Sequence, residues 1–254
     1  MIYLLLSAVS AFFGVSDGLG PATLLRPLLD AVSPLSPDAV AMLATMATLC
    51  AALVSAFFAL GKPLPLHQEE LLLLAVGALL GGILGDLAAY RLIAVIDTPA
   101  VRMLQNALLF TLIALPSVYF SALSRTLRPL ALSRLFAFPV AMFAGLTASF
   151  LAFGAEPLTL MLYFLLFDAE NDESSVAALT IALFAMTGKL LTLLIRQRFS
   201  LPHADVLLWI LPGALGGTLL AMLPGLHRGS QRSGEVLLRL SLFTSLLNIA
   251  SSVL

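Results

Sequence analysis

Two short strings of one pattern interrupt long apolar stretches of this chain, one string in each half. The first reads GLGPATL at residues 18–24, and the second reads GAEPLTL at residues 154–160, 136 positions later. Glycine tolerates non-helical dihedral angles and proline lacks an amide donor, so each string predicts that one helix ends and another begins. The chain is therefore expected to contain two broken helices at equivalent positions.

The same offset relates residues well outside the two strings. It carries Val40-Ala41 onto Val176-Ala177, and the segment 77–81 (GALLG) onto 213–217 (GALGG). A chance match between leucine-rich segments would not hold one offset over roughly seventy residues. The sequence therefore predicts a duplication.

The composition is typical of a protein that lies in a lipid bilayer. Hydrophobic residues make up 60% of the chain and charged residues 11%, and the mean hydropathy is +1.05, so charges are too few to cover a water-soluble globule. Six ordinary apolar runs have about the 20 residues that cross the hydrocarbon as a helix. They lie at 39–60, 70–90, 103–122, 174–195, 205–224 and 236–254. The predicted fold class is an all-α polytopic membrane protein.

The two segments that contain the strings, 2–30 and 135–167, are longer than one crossing needs. As one helix, the second would be roughly 50 Å long, against a hydrocarbon core of about 30 Å. This length favours re-entrant hairpins and two inverted four-segment repeats, whereas single crossings would give eight spans and parallel repeats. The loops carry equal Lys and Arg biases in both arrangements, so the positive-inside rule does not decide. The predicted units are a first membrane repeat at 1–122, a basic cytoplasmic linker at 123–134 containing Arg125, Arg128 and Arg134, and a second membrane repeat at 135–254.

The two breaks are the main candidate for a substrate site. Freed backbone groups are tolerated at membrane depth only where protein or a polar cavity satisfies them. A helix that begins after a break presents unpaired N–H groups and partial positive charge, which favour an anion. Thr23 and Thr159 lie two residues beyond the prolines and offer hydroxyl groups to the same ligand. The alternative is that the Gly-Pro kinks only bend the helices and that the threonines bond to their own backbone.

Four ionisable residues in these segments and the spans beside them are further candidates, because charge inside a membrane usually faces a partner or a pathway. Glu156 replaces a glycine of the first half and is predicted to couple transport to protons, or else to pair with Lys189. Lys189 is predicted either to attract the anion or to extend to the cytoplasmic interface. Arg26 suits an oxyanion, with a pairing to Asp30 at the i,i+4 spacing as the alternative. Asp17 borders the first break as a second coupling candidate or a cap of the half-helix.

The complete set of predicted substrate-binding residues is Gly18, Gly20, Pro21, Thr23, Arg26, Gly154, Glu156, Pro157, Thr159 and Lys189. The sequence contains no nucleophile paired with a base, no phosphate loop, no dinucleotide fingerprint and no His/Cys cluster with metal-ligand spacing. An enzyme, a cofactor and a bound metal are therefore not expected. The net charge of −1 gives no sign of a nucleic-acid partner.

The plan of the chain resembles the sulfite exporter TauE/SafE family, also called the toluene sulfonate uptake permease family. In both, Gly-rich sequence, proline and an apolar half-helix precede a span that begins with small residues, and this set is duplicated. The resemblance is carried here by Gly14–Leu29, Val40–Leu43 and Gly77–Gly85, and by their counterparts Phe150–Leu165, Val176–Leu179 and Gly213–Ala221. The chain departs from the family where consecutive glycines are usual, at residues 17–20 (DGLG) and 153–156 (FGAE).

The resemblance implies a secondary transporter of a small sulfur-containing anion, such as sulfite, a sulfonate or a related oxyanion, in the prokaryotic inner (plasma) membrane. Proton or sodium coupling and a homodimer are further expectations. The alternative function is a passive channel for small anions or solutes, and a third class is an intramembrane enzyme or an assembly subunit. The lack of paired catalytic groups argues against the enzyme.

Overall fold

The computed structural model describes residues 1–59, 63–96, 98–123, 126–196, 204–223 and 231–253. Within these ranges all regular structure is helical, as predicted, with a π-helical turn at Tyr119–Leu123 and a 3₁₀ turn at Arg134–Phe136. The α-helices are α1 (Ile2–Ser16), α2 (Ala22–Val32), α3 (Pro37–Ala59), α4 (Gln68–Val95), α5 (Thr98–Val118), α6 (Ala137–Leu151), α7 (Glu156–Phe167), α8 (Asn171–Ile195), α9 (Ala204–Met222) and α10 (Gln231–Val253).

Among the described residues, six helical segments are long and apolar enough to cross a bilayer. They are Pro37–Ala59, Gln68–Val95, Met103–Leu123, Arg134–Leu151, Asn171–Ile195 and Asp205–Met222. Five of them match predicted apolar runs, and Arg134–Leu151 is the first part of a predicted broken segment. In the predicted run 236–254, the apolar helix of the described residues is the shorter Leu238–Ala250. These lengths and compositions fit a multi-pass membrane protein.

Both predicted helix breaks are present. α1 gives way to α2 across residues 17–21, and α6 gives way to α7 across residues 152–155. Pro21 is the N-terminal cap residue of α2, and Pro157 lies in the first turn of α7. Proline suits these positions because an amide hydrogen there would have no intrahelical partner.

The second broken segment folds back on itself. The chain that leads into α6 runs beside the end of α7, where the amides of Leu130 and Leu132 donate to the carbonyls of Leu165 and Leu166 at 2.8 and 2.7 Å. α6 therefore starts at the same end of the molecule to which α7 returns. Within this segment α6 and α7 therefore form a helical hairpin.

The chain between α5 and α6 corresponds to the predicted basic linker. Of its arginines, Arg125 lies outside the described residues and Arg128 is exposed. Arg134 forms salt bridges with Glu70 at 3.1 Å and with Glu173 at 3.3 Å, and the Tyr163 hydroxyl donates to Glu70 at 3.2 Å. These contacts hold the start of α6 against α4, α7 and α8.

Two close helix pairs are built on small residues. α4 packs on α6, where a Cβ atom on Gly77 would lie 2.6 Å from the carbonyl oxygen of Phe138, and Gly85 meets a later carbonyl of α6 in the same way. α9 packs on α1, where a Cβ atom on Gly213 would lie 2.5 Å from the carbonyl oxygen of Leu4. Backbones approach this closely only at glycine. These glycines therefore serve close helix packing.

α3 and α8 form the centre of the helix arrangement. α3 contacts α1, α2 and α9, α8 contacts α4, α6 and α7, and the two contact each other. Buried small residues such as Ala44 and Thr48 on α3, and Ala178 and Ala185 on α8, allow this close packing. The broken segments therefore lie against these two central helices.

Candidate functional site

The two breaks meet at the side chain of Glu156. This residue is the first of α7 and is 6% exposed. Its carboxylate lies against both breaks, because a Cβ atom added to Gly20 or to Gly154 would collide with it. The carboxylate oxygen Oε2 is buried and has no hydrogen-bond partner among the described residues. The two predicted half-sites are therefore neighbours, and the acidic side chain of one fills the space beside the glycine of the other.

The first break is built from glycine and makes its own backbone hydrogen bonds. Gly18 and Gly20 have φ angles of 68° and 72°, in the left-handed region that glycine enters without strain. The amides of Leu19 and Gly20 both donate to the carbonyl of Gly14, at 2.8 and 2.9 Å. Asp17 follows α1 at its C-terminal cap position. Local backbone bonds therefore satisfy the Gly14 carbonyl at the end of α1.

The second break places alanines where the first has glycines. Ala152 and Ala155 have φ angles of 48° and 51°, and both are fully buried. A left-handed conformation costs a residue with a Cβ atom roughly 1–2 kcal/mol. Gly154 lies between them, and its missing side chain leaves room for the Glu156 carboxylate. The second break is thus a strained turn that the surrounding structure has to stabilise.

Two cations from distant parts of the chain bind the carbonyls at the end of α6. Lys189 Nζ donates to the carbonyl of Ser149 at 2.6 Å, and Arg26 Nη1 donates to that of Leu151. Positive groups at a helix C-terminus interact favourably with the helix dipole and satisfy its last carbonyls. Lys189 is 4% exposed, so it points into the protein instead of toward the interface, and no described salt bridge joins it to Glu156.

Arg26 is held by three protein partners. Besides the Leu151 carbonyl, its Nε donates to Asp30 Oδ2 at 3.2 Å and its Nη2 donates to Gln105 Oε1 at 3.0 Å. The side chain is buried, as is that of Asp30. The alternative predicted for Arg26, a pairing with Asp30 at the i,i+4 spacing, is therefore confirmed. The guanidinium joins α2, α5 and the second break.

The threonines of the two strings bond to their own backbone. The Thr23 hydroxyl donates to the Leu19 carbonyl, and the Thr159 hydroxyl donates to the Ala155 carbonyl at 3.0 Å. This is the local alternative that the sequence left open. Each hydroxyl would have to rotate before it could donate to a ligand, so its role in binding stays a prediction.

Two cavities lie at opposite ends of α3 and α8, the larger beside the end of α6 and the smaller beside both breaks. The larger, of about 440 Å³, is lined by Ser36, Asp38, Ala39, Ala41, Met42, Asp86, Ala89, Tyr90, Ile93, Gln105, Phe150, Lys189, Leu193 and Arg196. The smaller, of about 160 Å³, is lined by Gly14, Val15, Gly18, Gly20, Pro21, Thr48, Ala51, Ala52, Ser55, Glu156, Ser175, Ala178, Leu179 and Met222. The start of α3 and the end of α8 share the larger cavity, whereas the later part of α3 and the start of α8 share the smaller. These two helices are therefore antiparallel.

The larger cavity carries most of the charge. Asp86 Oδ2 accepts a hydrogen bond from the Thr192 hydroxyl at 2.6 Å and forms a salt bridge with Arg196 Nη1 at 3.6 Å. The Arg196 guanidinium also lies 4.3 Å from the centre of the Tyr90 ring, at a distance typical of a cation–π contact. Lys189 lies on the same cavity wall. The smaller cavity contains one charged side chain among its lining residues, Glu156.

Asp86 and Gln105 belong to this site, although the sequence did not single them out. Asp86 lies inside a predicted apolar run, and the rule that marked Lys189 as an intramembrane charge would also have marked it. Gln105 offers no comparable signal, because it carries no charge. Gln105 belongs to the site through its hydrogen bond with Arg26, which is 79 positions away in the sequence.

Comparison with protein-family models, with curated proteins and with solved structures finds no match to this chain. The similarity of its sequence plan to the TauE/SafE family therefore stays an expectation.

Proposed function

We propose that the protein is a secondary transporter that moves a small sulfur-containing anion, such as sulfite or a sulfonate, through the region between its two helix breaks. The positions of the two cavities are the main support for this proposal. They lie at opposite ends of the antiparallel helices α3 and α8. The larger reaches Phe150 at the end of α6, and the smaller reaches Gly20 and Glu156. The contact between the breaks therefore lies where a transported ligand would pass.

The duplication offset of 136 relates the two cavities. Met42 of the larger cavity corresponds to Ala178 of the smaller, and Asp86 corresponds to Met222 in the same way. Equivalent positions thus line cavities at opposite ends of the molecule, and the equivalent helices α3 and α8 run in opposite directions. Both observations support two inverted repeats. The volumes of about 440 and 160 Å³ fit a transporter in which one access route is open and its counterpart is nearly closed.

The breaks supply the groups that such a transporter needs. The half-helices α2 and α7 begin at the contact between the breaks, and their first amides suit an anion. Glu156 would repel the anion when ionised and admit it when protonated, which provides a route to proton coupling. Asp17 is the second proposed coupling residue, and sodium is the alternative coupling ion. The inner membrane of a prokaryote is the location that we propose from the sequence resemblance.

Cysteine accessibility tests the alternating exposure of the two cavities. Met42→Cys and Ala178→Cys place thiols at equivalent positions of the larger and smaller cavities, after the native thiol is removed by Cys50→Ala. Ser133→Cys, in the exposed chain that leads into α6, serves as the control. In proteoliposomes, sulfite should change the two cavity modification rates in opposite directions, each by several-fold, and should leave the control rate unchanged.

Transport itself is measured with the same proteoliposomes. Sulfite uptake should be saturable and should respond to an imposed proton or sodium gradient. Rapid flux that is independent of both gradients, with both cavity thiols modified regardless of sulfite, would identify a passive channel instead. The absence of any sulfite flux would exclude sulfite as a substrate, and sulfonates are then assayed in the same way.

A further inference from the structure

The larger cavity contains a lysine, Lys189, that forms no salt bridge with any described residue, although Asp38 and Asp86 line the same cavity. The Lys189 ammonium donates one hydrogen bond, to the Ser149 carbonyl at 2.6 Å, and the residue is 4% exposed. An ammonium group has three donors, and no carboxylate in the described part of the chain forms a salt bridge with it. A buried charge is unfavourable unless a partner compensates it. The free donors of Lys189 therefore favour a negatively charged ligand.

Asp86 lies on the same cavity wall but is engaged by other groups. Its Oδ2 accepts from the Thr192 hydroxyl at 2.6 Å and pairs with Arg196 at 3.6 Å. Arg196 is also held by its contact with the Tyr90 ring. Asp86 therefore neutralises Arg196 directly and leaves the ammonium of Lys189 without a bonded acid.

Gln105 provides a second donor at the same cavity. It is 5% exposed, and its Oε1 accepts from Arg26 Nη2 at 3.0 Å. Because Arg26 is itself fixed by Asp30 and by the Leu151 carbonyl, the orientation of the Gln105 amide is fixed as well. No described residue accepts from its Nε2 group, and the side chain lines the cavity. Its two N–H donors are therefore available to a ligand there.

We propose that Lys189 and Gln105 bind the acid group of an organic anion in the larger cavity. The ammonium and the amide N–H groups donate to its oxygens, and carboxylates and sulfonates share this chemistry. The apolar side chains of Met42, Phe150 and Leu193 line the same cavity and cover a hydrocarbon body. Its volume of about 440 Å³ falls within the roughly 300–1,000 Å³ of pockets for small organic ligands.

This site is distinct from the contact between the breaks. There the Glu156 carboxylate already occupies the space beside Gly20 and Gly154, and it would oppose a second negative group. The acid group of a ligand is therefore held at Lys189 before it reaches the breaks. The role of this site in transport rests on the proposed function, to which it adds the place where the acid group of the substrate binds.

Binding of benzenesulfonate and of benzoate to the purified protein in detergent, measured by calorimetry, tests the site. Gln105→Glu keeps an acceptor for Arg26 while it replaces the amide donors with a negative charge, and Lys189→Met removes the ammonium. Each variant should weaken binding of the anions by about tenfold or more, as expected when a charge-assisted hydrogen bond is lost. Arg91→Met removes an exposed cation from the same end of α4 and should bind both anions as the unmodified protein does. Neutral benzamide should bind to the unmodified protein and to all three variants far more weakly than the anions bind to the unmodified protein.

The outcomes separate this site from the transport function. Unchanged anion affinity in Gln105→Glu overturns the site, and this variant decides the question if Lys189→Met fails to fold. Failure of the unmodified protein to bind either anion while it transports sulfite also overturns the site but leaves the proposed function standing. Binding that depends on Gln105 and Lys189 without any transport supports the site and removes the proposed function. A difference between benzenesulfonate and benzoate identifies which acid group the site prefers.

Discussion

The chain leaves α1 through glycines at positive φ, Gly18 and Gly20, but it leaves α6 through alanines at positive φ, Ala152 and Ala155. At the first break, amides from within five or six residues satisfy the Gly14 carbonyl. At the second, the amide of Phe153 donates to the Ala148 carbonyl in a similar local bond, and in addition Lys189 and Arg26 reach the carbonyls of Ser149 and Leu151 from 40 and 125 positions away in the sequence. The two breaks occupy equivalent places in the chain but depend on different interactions.

This difference shows that a helix break can rely on local bonds alone or can add support from distant parts of the fold. Glycine allows the first turn without strain, so it needs little support from other helices. Alanine makes the second turn unfavourable, and the cations of α2 and α8 offset part of this cost. The second break is therefore expected to be the more sensitive of the two to mutations elsewhere in the protein.

The largest effect on this comparison is expected from Arg26→Met. The substitution removes the donor to Leu151 and leaves the buried carboxylate of Asp30 without its partner. Removing one partner of a buried ion pair costs about 3–5 kcal/mol. The free energy of unfolding, measured by titration with SDS in mixed micelles, should fall by that amount.

Two further variants test whether the loss of stability in Arg26→Met comes from the broken ion pair. Arg91→Met removes an exposed arginine and should change the free energy of unfolding by less than about 0.5 kcal/mol. Adding Asp30→Asn to Arg26→Met should recover part of the loss, because it removes the unpaired charge. A loss below about 1 kcal/mol for Arg26→Met would show that the second break does not depend on this cation.

A smaller effect is expected at the first break from Gly20→Ala. Gly18 and Gly20 have nearly the same φ, but a Cβ atom would meet nothing within 4 Å at Gly18 and would collide with the Glu156 carboxylate at Gly20. Gly18→Ala should therefore lower the free energy of unfolding by about 1–2 kcal/mol through strain alone. Gly20→Ala should lower it by about 0.5–3 kcal/mol more, the range of coupling between residues in contact. The same titration with SDS measures both.

Glu156→Ala should relieve the extra loss at Gly20 and leave the Gly18 variant unaffected. A double-mutant cycle between positions 20 and 156 measures this coupling directly. Equal losses for the two alanine variants, with no coupling to position 156, would contradict the contact between the breaks.

The sequence predicts the parts of this structure that depend on local chemistry. The two strings that contain glycine and proline predicted both helix breaks, and the hydropathy predicted the long helices. The i,i+4 spacing predicted the pair Arg26–Asp30. The sequence did not predict that Lys189 and Arg26 converge on the end of α6. Lys189 is 40 positions from Ser149 and Arg26 is 125 positions from Leu151, and no periodicity relates residues so far apart. Gln105 was missed for the same reason, since its amide matters only through tertiary contact with Arg26. The alanines of the second break were also unpredictable as turn residues, because alanine normally favours helix.

The smallest expected effect, and the one of opposite sign, comes from Ala152→Gly and Ala155→Gly. Glycine removes the strain of the left-handed conformation, worth about 1–2 kcal/mol, but loses a buried methyl group worth about 0.8 kcal/mol. Each variant should therefore raise the free energy of unfolding by roughly 0.5 kcal/mol, measured by the same titration with SDS. Ala148→Gly, at a fully buried helical position of α6, provides the matched control and should lower it by about 1 kcal/mol or more. If all three variants destabilise the protein equally, the backbone at the second break is not strained, and the contrast with the glycines of the first break disappears.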